Sequence, residues 1–440
     1  MNIINGFEKS KSFLSSNRYI NLTSDSVLKS SKMVFGELLD AHSYVQKIVN
    51  QVRDNGDSAI KNLVLKIEGN EVNDFVIKQN KLEEAYNRIP KNLQKALTLS
   101  SERITKFHQK SMPKSWYDES EGYGQNFIPV NSVGAYIPGG TAKYPSTVLM
   151  STIPAKIAGV KNISITCPMN SEGNIPDSVL AAAYIAEVDK VYGVGGAQAI
   201  AALAYGTESI KRVDIICGPG NLFVTLAKKI VFGDVGIDGL YGPTETLVIA
   251  DKASNPTLVA ADLIAQAEHD ELAKPILITN SLNLAKKVQN ELDIRVERIN
   301  RKRIAQISLK EQGAICVVDS IEESLTLANI FSPEHLCLSV ESPEKWIPFV
   351  INAGMIFLGE FSHEVLGDYG AGPSHVMPTA GTARFNSGLG VHTFQKTVPI
   401  VNIAKSDSIK IGDLAATIAK EEGLTGHAEA AEIRKELFES

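Results

Sequence analysis

The sequence predicts an α/β protein with parallel β-sheets in more than one domain. From Val133 onward, short runs of β-branched residues alternate with Ala-rich stretches of helical character, and each run ends in Gly or Pro. This alternation is typical of βαβ units, in which a helix connects two parallel strands. At 440 residues the chain is too long for one ordinary core, so two or three domains are expected.

Four predicted strands precede Thr246, and a turn with Gly or Pro follows each of the four. Ligands of open parallel sheets collect at the carboxyl ends of the strands, so these turns are expected to form a binding site. The predicted strands are residues 133–137, 163–167, 188–192 and 213–216, and the predicted helices are residues 146–158, 197–205 and 223–230.

The same rhythm returns after Gly242 and Pro243 and predicts a second α/β domain. Its predicted strands are residues 247–250, 275–279, 314–318 and 355–358, with a helix at 257–268.

The two flanks of the chain differ from this pattern. Residues before 133 are charged and mostly helical, for example at 82–107, and are expected to pack on one of the two α/β domains. From about residue 390 a predicted strand at 398–403 and two helical patterns lack an obvious core. Such a tail usually needs another surface, for example a second subunit.

Composition narrows the classes of partner. The formal net charge of -6 and the pI near 5.9 provide no basic field, which argues against nucleic acid or an anionic membrane and favours a small molecule. No stretch approaches the roughly 18 uninterrupted apolar residues of a membrane span. The first ~30 residues are polar and lack an apolar signal core. An organelle transit peptide is the alternative interpretation.

The cysteines favour a cytoplasmic protein. Cys167, Cys217, Cys316 and Cys337 lie far apart and form no CxxC pair, which fits a reducing compartment. Aldehyde oxidation can proceed through a thiohemiacetal on an activated cysteine, so Cys217, next to a Gly-rich turn, is one candidate nucleophile.

A Gly-rich turn at 193–198 follows a predicted strand and opens a helix. Backbone amides and a helix N-terminus in this setting can hold a pyrophosphate. Gln198 stands where the usual third glycine is expected, and a plain βα turn is the alternative. Two neighbouring strand ends, at Tyr136 and at 218–221, carry similar polar loops and favour a nucleotide site.

Asp262, Gln266 and His269 have spacings of four and three residues, which place them on one face of a predicted helix. Imidazole is a common zinc ligand, whereas a side-chain amide is an uncommon one. The alternative is a polar face satisfied by local hydrogen bonds.

Glu334 and His335 follow a proline and suit proton transfer, because burial and neighbours can tune either group toward neutral pH. Adjacent residues on a regular helix would point about 100° apart, so both can address one pocket only from a turn. A surface dipeptide is the alternative.

Two further loops carry polar groups. Asp368 lies in a Gly-dense segment at 367–375, which favours a close approach of backbone to a ligand, and Asp368 could bind a metal there. Glu422 and His427 precede a charged helical pattern near the carboxyl terminus, where a helix-capping loop is the alternative.

Together and in this order, these motifs resemble the histidinol dehydrogenase family from about residue 107 to 432. That family oxidises L-histidinol to L-histidine in two NAD-dependent steps, through an aldehyde that stays bound, as the last step of histidine biosynthesis. The motifs are residues 136–140 (YIPGG), 195–198 (GGAQ), 218–221 (GPGN), 242–245 (GPTE), 266–269 (QAEH), 332–335 (SPEH), 367–369 (GDY), 375–379 (HVMPT) and 422–427 (EGLTGH).

The resemblance implies roles for individual residues. Glu334 would activate water to hydrate the aldehyde, and His335 would take the alcohol proton as hydride leaves. The implied zinc ligands are Gln266, His269, Asp368 and His427, completed by the amino and imidazole nitrogens of the substrate. The implied NAD contacts are Tyr136, Gln198 and Asn221. The implied substrate pocket is Thr244, Gln266, His269, His335, Asp368, Glu422 and His427.

The resemblance also implies two incomplete Rossmann-like domains and a tail that crosses to the other subunit of a homodimer, so that the active site is shared. The corresponding division is an arm at 1–34, a large domain at 35–132 plus 245–389, an NAD-binding domain at 133–244 and a dimerisation tail at 390–440. Thr244 stands where the family often has Ser, and Gly426 where Ala is common.

Three alternatives stay open at this point. The chain could oxidise another polar alcohol with the same zinc and NAD chemistry. It could be a zinc hydrolase in which Glu334 activates water, although this leaves the three strand-end loops unexplained. It could also be a catalytically silent nucleotide-binding protein, against which the intact Glu334 and His335 argue.

Overall fold

A computed structural model describes residues 1–15, 23–69, 71–72, 74–139 and 142–439. These residues form two compact units. Unit 1 comprises Met1–Met112 and Val130–Phe394, and unit 2 comprises Pro113–Pro129 and Gln395–Ser440. Residues 16–22 of the predicted arm and Gly140 of the first motif lie outside the described residues.

Strands occur in both units. In chain order they are β1 (Asn2–Asn5), β2 (Val76–Ile77), β3 (Trp116–Asp118), β4 (Tyr123–Pro129), β5 (Ser132–Tyr136), β6 (Asn162–Thr166), β7 (Lys190–Tyr192), β8 (Ile215–Cys217), β9 (Gly236–Ile237), β10 (Glu245–Ala250), β11 (Lys274–Thr279), β12 (Ala314–Val317), β13 (His335–Ser339), β14 (Met355–Leu358) and β15 (Gln395–Val401).

Helices connect most of these strands, and short 3₁₀ turns occur at Pro343–Phe349, Thr382–Arg384 and Val391–Phe394. The α-helices are α1 (Phe7–Leu14), α2 (Asp25–Phe35), α3 (Ala41–Glu68), α4 (Gln79–Arg88), α5 (Lys91–Lys110), α6 (Pro145–Ala158), α7 (Asp177–Ile185), α8 (Gly196–Tyr205), α9 (Leu222–Val231), α10 (Pro256–Ala267), α11 (Leu282–Val296), α12 (Lys302–Glu311), α13 (Ile321–Phe331), α14 (Glu364–Tyr369), α15 (Lys405–Glu421) and α16 (Thr425–Glu439).

One six-stranded sheet of unit 1, called sheet A, has the order β1-β12-β11-β10-β13-β14, and all its pairings are parallel. Every residue of β10 is buried. Val248 and Ala250 pack in one apolar cluster, and Leu247 and Ile249 pack in another. This alternation follows from the two-residue period of a strand that is covered by helices on both faces.

The second six-stranded sheet of unit 1, called sheet B, has the order β2-β7-β6-β5-β8-β9. Its pairings are parallel except that β2 runs antiparallel to β7. The two sheets confirm the predicted α/β class. The helix α7 and the short strands β2 and β9 had no counterpart in the prediction.

The flanking helices α3, α4 and α5 pack mainly on helices of sheet B. Helix α3 contacts α8 and α9, α4 contacts α7, and α5 contacts α6. The sequence division grouped these helices with residues 245–389, while β1 of the predicted arm adds a strand to sheet A. Packing does not test which segments fold independently, so the division into domains stays a prediction.

The helix predicted at 82–107 is two helices, α4 and α5, separated at Ile89 and Pro90. Ile89 has extended backbone angles, φ -70° and ψ 152°. A proline ring disfavours helical angles in the residue before it, so this break was readable from the sequence.

Unit 2 contains a three-stranded antiparallel sheet of order β15-β4-β3 and the helix pair α15 and α16. The predicted strand of the tail corresponds to β15, and its partners β3 and β4 were not predicted. Three buried alanines, Ala416, Ala419 and Ala428, form the small apolar cluster between the two helices. Among the described residues, no helix is both long and apolar enough to cross a membrane.

Candidate active site

A cavity of about 390 Å³ in unit 1 is lined by residues from both parallel sheets. Its lining residues are Pro138, Gly139, Tyr144, Ser146, Thr147, Pro219, Gly220, Asn221, Thr244, Gln266, His269, Asp270, Arg301, Glu334, His335, Asp368, Tyr369 and His375.

The two sheets contribute opposite ends to this cavity. Sheet B contributes the loops that follow β5 and β8, which are carboxyl ends of strands, as predicted. Sheet A contributes amino ends, because Thr244 directly precedes β10 and His335 is the first residue of β13. The rule that ligands bind at carboxyl ends therefore located only half of the cavity wall.

Glu334 is buried, with 6% of its surface exposed. Helix α13 ends at Phe331, Ser332 follows it in a left-handed conformation (φ 52°), and Pro333 then leads the chain to Glu334. The carboxylate oxygen Oε2 accepts hydrogen bonds from the Thr244 hydroxyl at 2.6 Å and from the Glu245 N–H at 3.0 Å. Burial raises the pKa of Glu334, and the charge of His335 and the two hydrogen bonds oppose that rise.

His335 begins strand β13 and is 3% exposed. Its Nδ1 lies 3.0 Å from the carbonyl oxygen of Glu245, so Nδ1–H must be the donor. Nε2 lies 3.6 Å from Asp368 Oδ1. The imidazole stacks on the Phe357 ring at 5.9 Å and 23°. These contacts fix the ring and leave Nε2 as its reactive nitrogen.

The position of His335 partly corrects the sequence analysis, which expected both members of the pair to lie in a turn. Glu334 does precede the strand, but His335 is already hydrogen-bonded within sheet A, where it pairs with Thr246 and Met355. The apolar character of residues 336–338 was the available signal for this strand.

Nearby carboxylates dominate the electrostatics of His335. Burial alone would lower the pKa of the imidazole, but the charges of Glu334 and Glu364 and the interaction with Asp368 raise it to about 10. For Asp368, burial is outweighed by its interaction with His335 and by the nearby imidazoles, which together lower the pKa of the carboxyl group. The site is therefore rich in negative charge and suited to a cation.

His269 lies two residues beyond the end of α10 and not on the predicted helix face. The residue is exposed and lines the cavity. Partial desolvation by the surrounding protein lowers the pKa of the imidazole. A neutral ring keeps a lone pair available for a metal. The Arg301 guanidinium donates to the His269 carbonyl oxygen at 3.4 Å.

Gln266 is 1% exposed, and its amide lies between two hydrogen-bonding neighbours. One is the Thr244 hydroxyl. The other is Glu364, whose Oε1 lies 3.2 Å from the second atom of the amide group. Because the single hydroxyl proton of Thr244 is donated to Glu334, the amide nitrogen of Gln266 is the donor to Thr244, and the amide oxygen faces Glu364.

Sequence reasoning missed Glu364, which is 1% exposed and accepts a hydrogen bond from the Thr246 hydroxyl. Burial raises the pKa of Glu364 to about 8. Its spacing of four residues from Asp368 on α14 was the available signal. Asp262, by contrast, was expected beside Gln266 and is absent from the lining of the cavity.

His375 is another residue of the site; it begins one of the family motifs, but the sequence analysis assigned it no role. Its Nδ1–H donates to the carbonyl oxygen of Asp368 at 2.9 Å, and its Nε2 lies 3.1 Å from the Thr147 hydroxyl. These contacts support the loop that carries Asp368.

The three predicted cofactor residues have different environments. Asn221 lines the cavity, and its side-chain oxygen accepts from the N–H groups of Phe223 and Val224, which caps α9. Tyr136 and Gln198 are buried and do not belong to the described lining. The Tyr136 hydroxyl accepts from the Gly196 N–H at 3.2 Å, at the amino end of α8.

Glu422 and His427 belong to unit 2. Glu422 follows the end of α15, and His427 lies inside α16, whereas the sequence analysis placed it before a helix. Both residues are exposed. Within unit 1, the predicted residues that line the cavity are Asn221, Thr244, Gln266, His269, Glu334, His335 and Asp368.

The side chains at the cavity include donor types that zinc binds. Within the described ranges, no group of three or more His, Cys, Asp or Glu side chains is arranged to hold a metal ion. Unit 1 provides a neutral imidazole (His269), an ionised carboxylate (Asp368) and an amide (Gln266). Imidazole and carboxylate are usual zinc ligands, so the donor types suit zinc. Zinc usually has four ligands, so these three side chains require at least one further donor.

Cys217 does not fit the role of nucleophile. It is fully buried in β8, and burial raises the pKa of its thiol well above the ordinary value. A thiol that stays protonated and enclosed is inert.

Comparison with known proteins places this site in context. The model of the family described as histidinol dehydrogenase matches residues 36–435. Histidinol dehydrogenase of Dehalococcoides mccartyi is 47% identical over 399 residues, covering 90% of this chain and 92% of its own. That of Lactiplantibacillus plantarum is 46% identical over 403 residues, covering 91% and 94%.

A solved structure gives the same result. The crystal structure of histidinol dehydrogenase from Elizabethkingia anophelis superimposes with a TM-score of 0.92 at 32% identity, and covers 100% of this chain and 99% of that one. The match in sequence and in fold extends over nearly the whole chain, including both parallel sheets and the cavity between their strand ends. The chain therefore belongs to the histidinol dehydrogenase family, which is a family of oxidoreductases.

Proposed function

We propose that this chain oxidises L-histidinol to L-histidine in two NAD-dependent steps through bound L-histidinal, as the last step of histidine biosynthesis. The observation that carries the proposal is the buried pair Glu334 and His335 in one cavity with His269 and Asp368. Oxidation of an alcohol to a carboxylate requires removal of a proton in the first step and addition of water in the second. The pair provides one group for each task.

His335 takes the hydroxyl proton of the substrate on Nε2 as hydride leaves to NAD. Its Nδ1–H is held by the Glu245 carbonyl oxygen, which keeps the accepting lone pair on Nε2. The stacked Phe357 ring and the strand pairing of His335 prevent the imidazole from turning away from the substrate.

Glu334 activates the water that hydrates the aldehyde before the second hydride transfer. Its carboxylate is buried and its pKa is raised, which makes it a stronger base than an exposed carboxylate. The hydroxyl of Thr244 and the N–H of Glu245 hold Oε2, so Oε1 is the oxygen available to water.

The residues proposed to hold zinc are Gln266, His269 and Asp368, together with His427. Bound there, zinc would supply positive charge that orients and polarises the substrate and offsets the carboxylates that raise the pKa of His335. This requirement agrees with the negative charge that surrounds His335. Substrate contacts are proposed for these four residues and for Thr244, His335 and Glu422.

NAD is proposed to bind at the carboxyl ends of the sheet B strands, with contacts from Tyr136, Gln198 and Asn221. Asn221 at the cavity wall supports this placement most directly. A homodimer with a shared active site is proposed from the small core of unit 2, whose helices expose large apolar side chains such as Leu414 and Leu437. A cytoplasmic location is proposed from the four well-separated cysteines.

An NADH assay tests the proposal. Purified protein incubated with L-histidinol, NAD and zinc should produce about two NADH per L-histidine, and a chelator should abolish the reaction until zinc is restored. NADH formation from other polar alcohols but not from L-histidinol would identify a related dehydrogenase. Zinc-dependent hydrolysis of a substrate without formation of NADH would favour a zinc hydrolase and contradict the proposal.

A further inference from the structure

A buried ion pair lies next to the loop that carries Asn221. Lys228 of α9 and Asp238, which follows β9, have side chains 2% and 0% exposed, and Lys228 Nζ lies 2.5 Å from Asp238 Oδ1. The ring of Tyr241 covers the ammonium group at 4.8 Å from its centroid. The ion pair is therefore almost completely shielded from water.

Both charged side chains form hydrogen bonds with the backbone of one residue, Gly218. Lys228 Nζ donates to the Gly218 carbonyl oxygen at 3.0 Å, and the Gly218 N–H donates to Asp238 Oδ2 at 2.8 Å. Gly218 has φ +102°, and a Cβ atom there would lie 2.3 Å from the Tyr136 carbonyl oxygen. The backbone of Gly218 is thus held on both its N–H and its C=O in a conformation that only glycine can adopt.

The residues that follow this glycine reach the cavity. Pro219, Gly220 and Asn221 all belong to its lining, on the side formed by sheet B. Because Gly218 is the point where β8 ends and the loop begins, fixing its backbone fixes the direction in which the loop leaves the sheet.

A contribution to stability alone does not explain the pair. The desolvation of two buried charges offsets much of their attraction, and apolar residues of similar size are often as stable or more stable in such positions. What apolar residues cannot supply is the pair of charge-assisted hydrogen bonds to the Gly218 backbone.

We infer that Lys228 and Asp238 are positioning residues that preset the 218–221 loop to receive the dinucleotide. This inference rests on the proposed use of NAD at that loop. Without the ion pair the loop would have to be ordered by the ligand, and the cost would appear as weaker binding of NAD. The pair acts through Gly218 and contacts no reacting atom.

The double variant Lys228→Met/Asp238→Asn tests the inference, because it removes both charges together and leaves no unpaired buried ion. Loss of about 1–2 kcal/mol of hydrogen bonding to the loop corresponds to roughly 5- to 30-fold weaker binding. We expect the Kd of NAD, measured by calorimetry, and the KM for NAD to rise by at least about 5-fold. The KM for L-histidinol and kcat at saturating NAD should change by less than about 3-fold.

Ile60→Ala is the matched control for general destabilisation. Ile60 is fully buried in α3, within the apolar cluster that α8 and α9 share, so its truncation lowers stability without touching the loop. The control should lower Tm and leave the Kd of NAD unchanged. If the double variant proves unstable, the single variant Lys228→Arg replaces it in the test. It keeps the positive charge but not the compact ammonium group, so the Kd of NAD should rise by less than is expected for the double variant.

The outcomes separate this inference from the proposed function. Failure of the parent protein to bind NAD would overturn the proposed function itself. NAD binding by the parent with an unchanged Kd in the double variant would overturn the inference alone. An equal loss of NAD affinity in Ile60→Ala would also overturn it, because the effect would then be one of global stability.

Discussion

The hydroxyl of Thr244 offers a quantitative test of the role of Glu334. It donates to Oε2 at 2.6 Å, and one further donor, the Glu245 N–H, contacts the same oxygen. A hydrogen bond to a charged group contributes about 1.5–3 kcal/mol. Since one pKa unit corresponds to about 1.4 kcal/mol, Thr244→Val should raise the pKa of Glu334 by about 1–2 units beyond its already raised value.

The assay follows NADH formation from L-histidinal, so that only the second oxidation is observed. Glu334 must be ionised to activate water, and activity should therefore be lost at low pH and recover as pH rises. In Thr244→Val this acidic limb should move upward by about 1–2 pH units. Thr244→Ser keeps the hydroxyl and is the matched control. An unmoved limb in Thr244→Val, or an equal shift in Thr244→Ser, would refute the reasoning.

Three further predictions follow from the same structure. Glu334→Gln and His335→Asn should each lower kcat at least ~100-fold with an unchanged fold by circular dichroism, and retention of turnover in the double variant would contradict the proposed proton transfers. Mixing inactive His427→Asn with inactive His335→Asn should restore activity when subunits exchange, and none should return if each chain builds its own site. Burial and the nearby Glu360 raise the pKa of Asp262 to about 7. The protonated side chain is therefore favoured in the folded protein, and its contribution to stability is full below the ordinary pKa of 3.8 and is lost as pH rises through 7. Asp262→Asn should unfold at a higher temperature than the parent at pH 8 but not at pH 3.5.

Local patterns were sufficient for most elements of the two parallel sheets. The strand predicted at 355–358 has the observed bounds, and the helix predicted at 146–158 begins one residue earlier, at Pro145. Apolar periodicity and Gly or Pro at the ends of an element are local signals. Buried strands and helices that carry these signals can therefore be predicted from the sequence alone.

Elements that depend on distant partners were harder to predict. Strand β1 pairs with β12, so that Asn2 lies opposite Ala314, and β4 pairs with β15 across the two segments of unit 2. Neither pairing has a local signature, because a short strand is stabilised by the neighbour that accepts its hydrogen bonds.

The candidate site shows the same division. Residue types and the family motifs selected Glu334, His335, His269 and Asp368, and the cavity brings these four together. Glu364 was not selected, because its proximity to Gln266 and His335 arises only when α14 packs against the amino ends of sheet A.

The sequence by itself determined the α/β class, the family and the candidate side chains for proton transfer and metal binding. The tertiary structure decided that the amino ends of sheet A face the same cavity as the carboxyl ends of sheet B, and it decided the state of each group there. The pKa of Glu334 depends on burial and on Thr244, which lies 90 residues away in the chain. Desolvation and hydrogen bonding are properties of packed neighbours, so only the folded chain can set them.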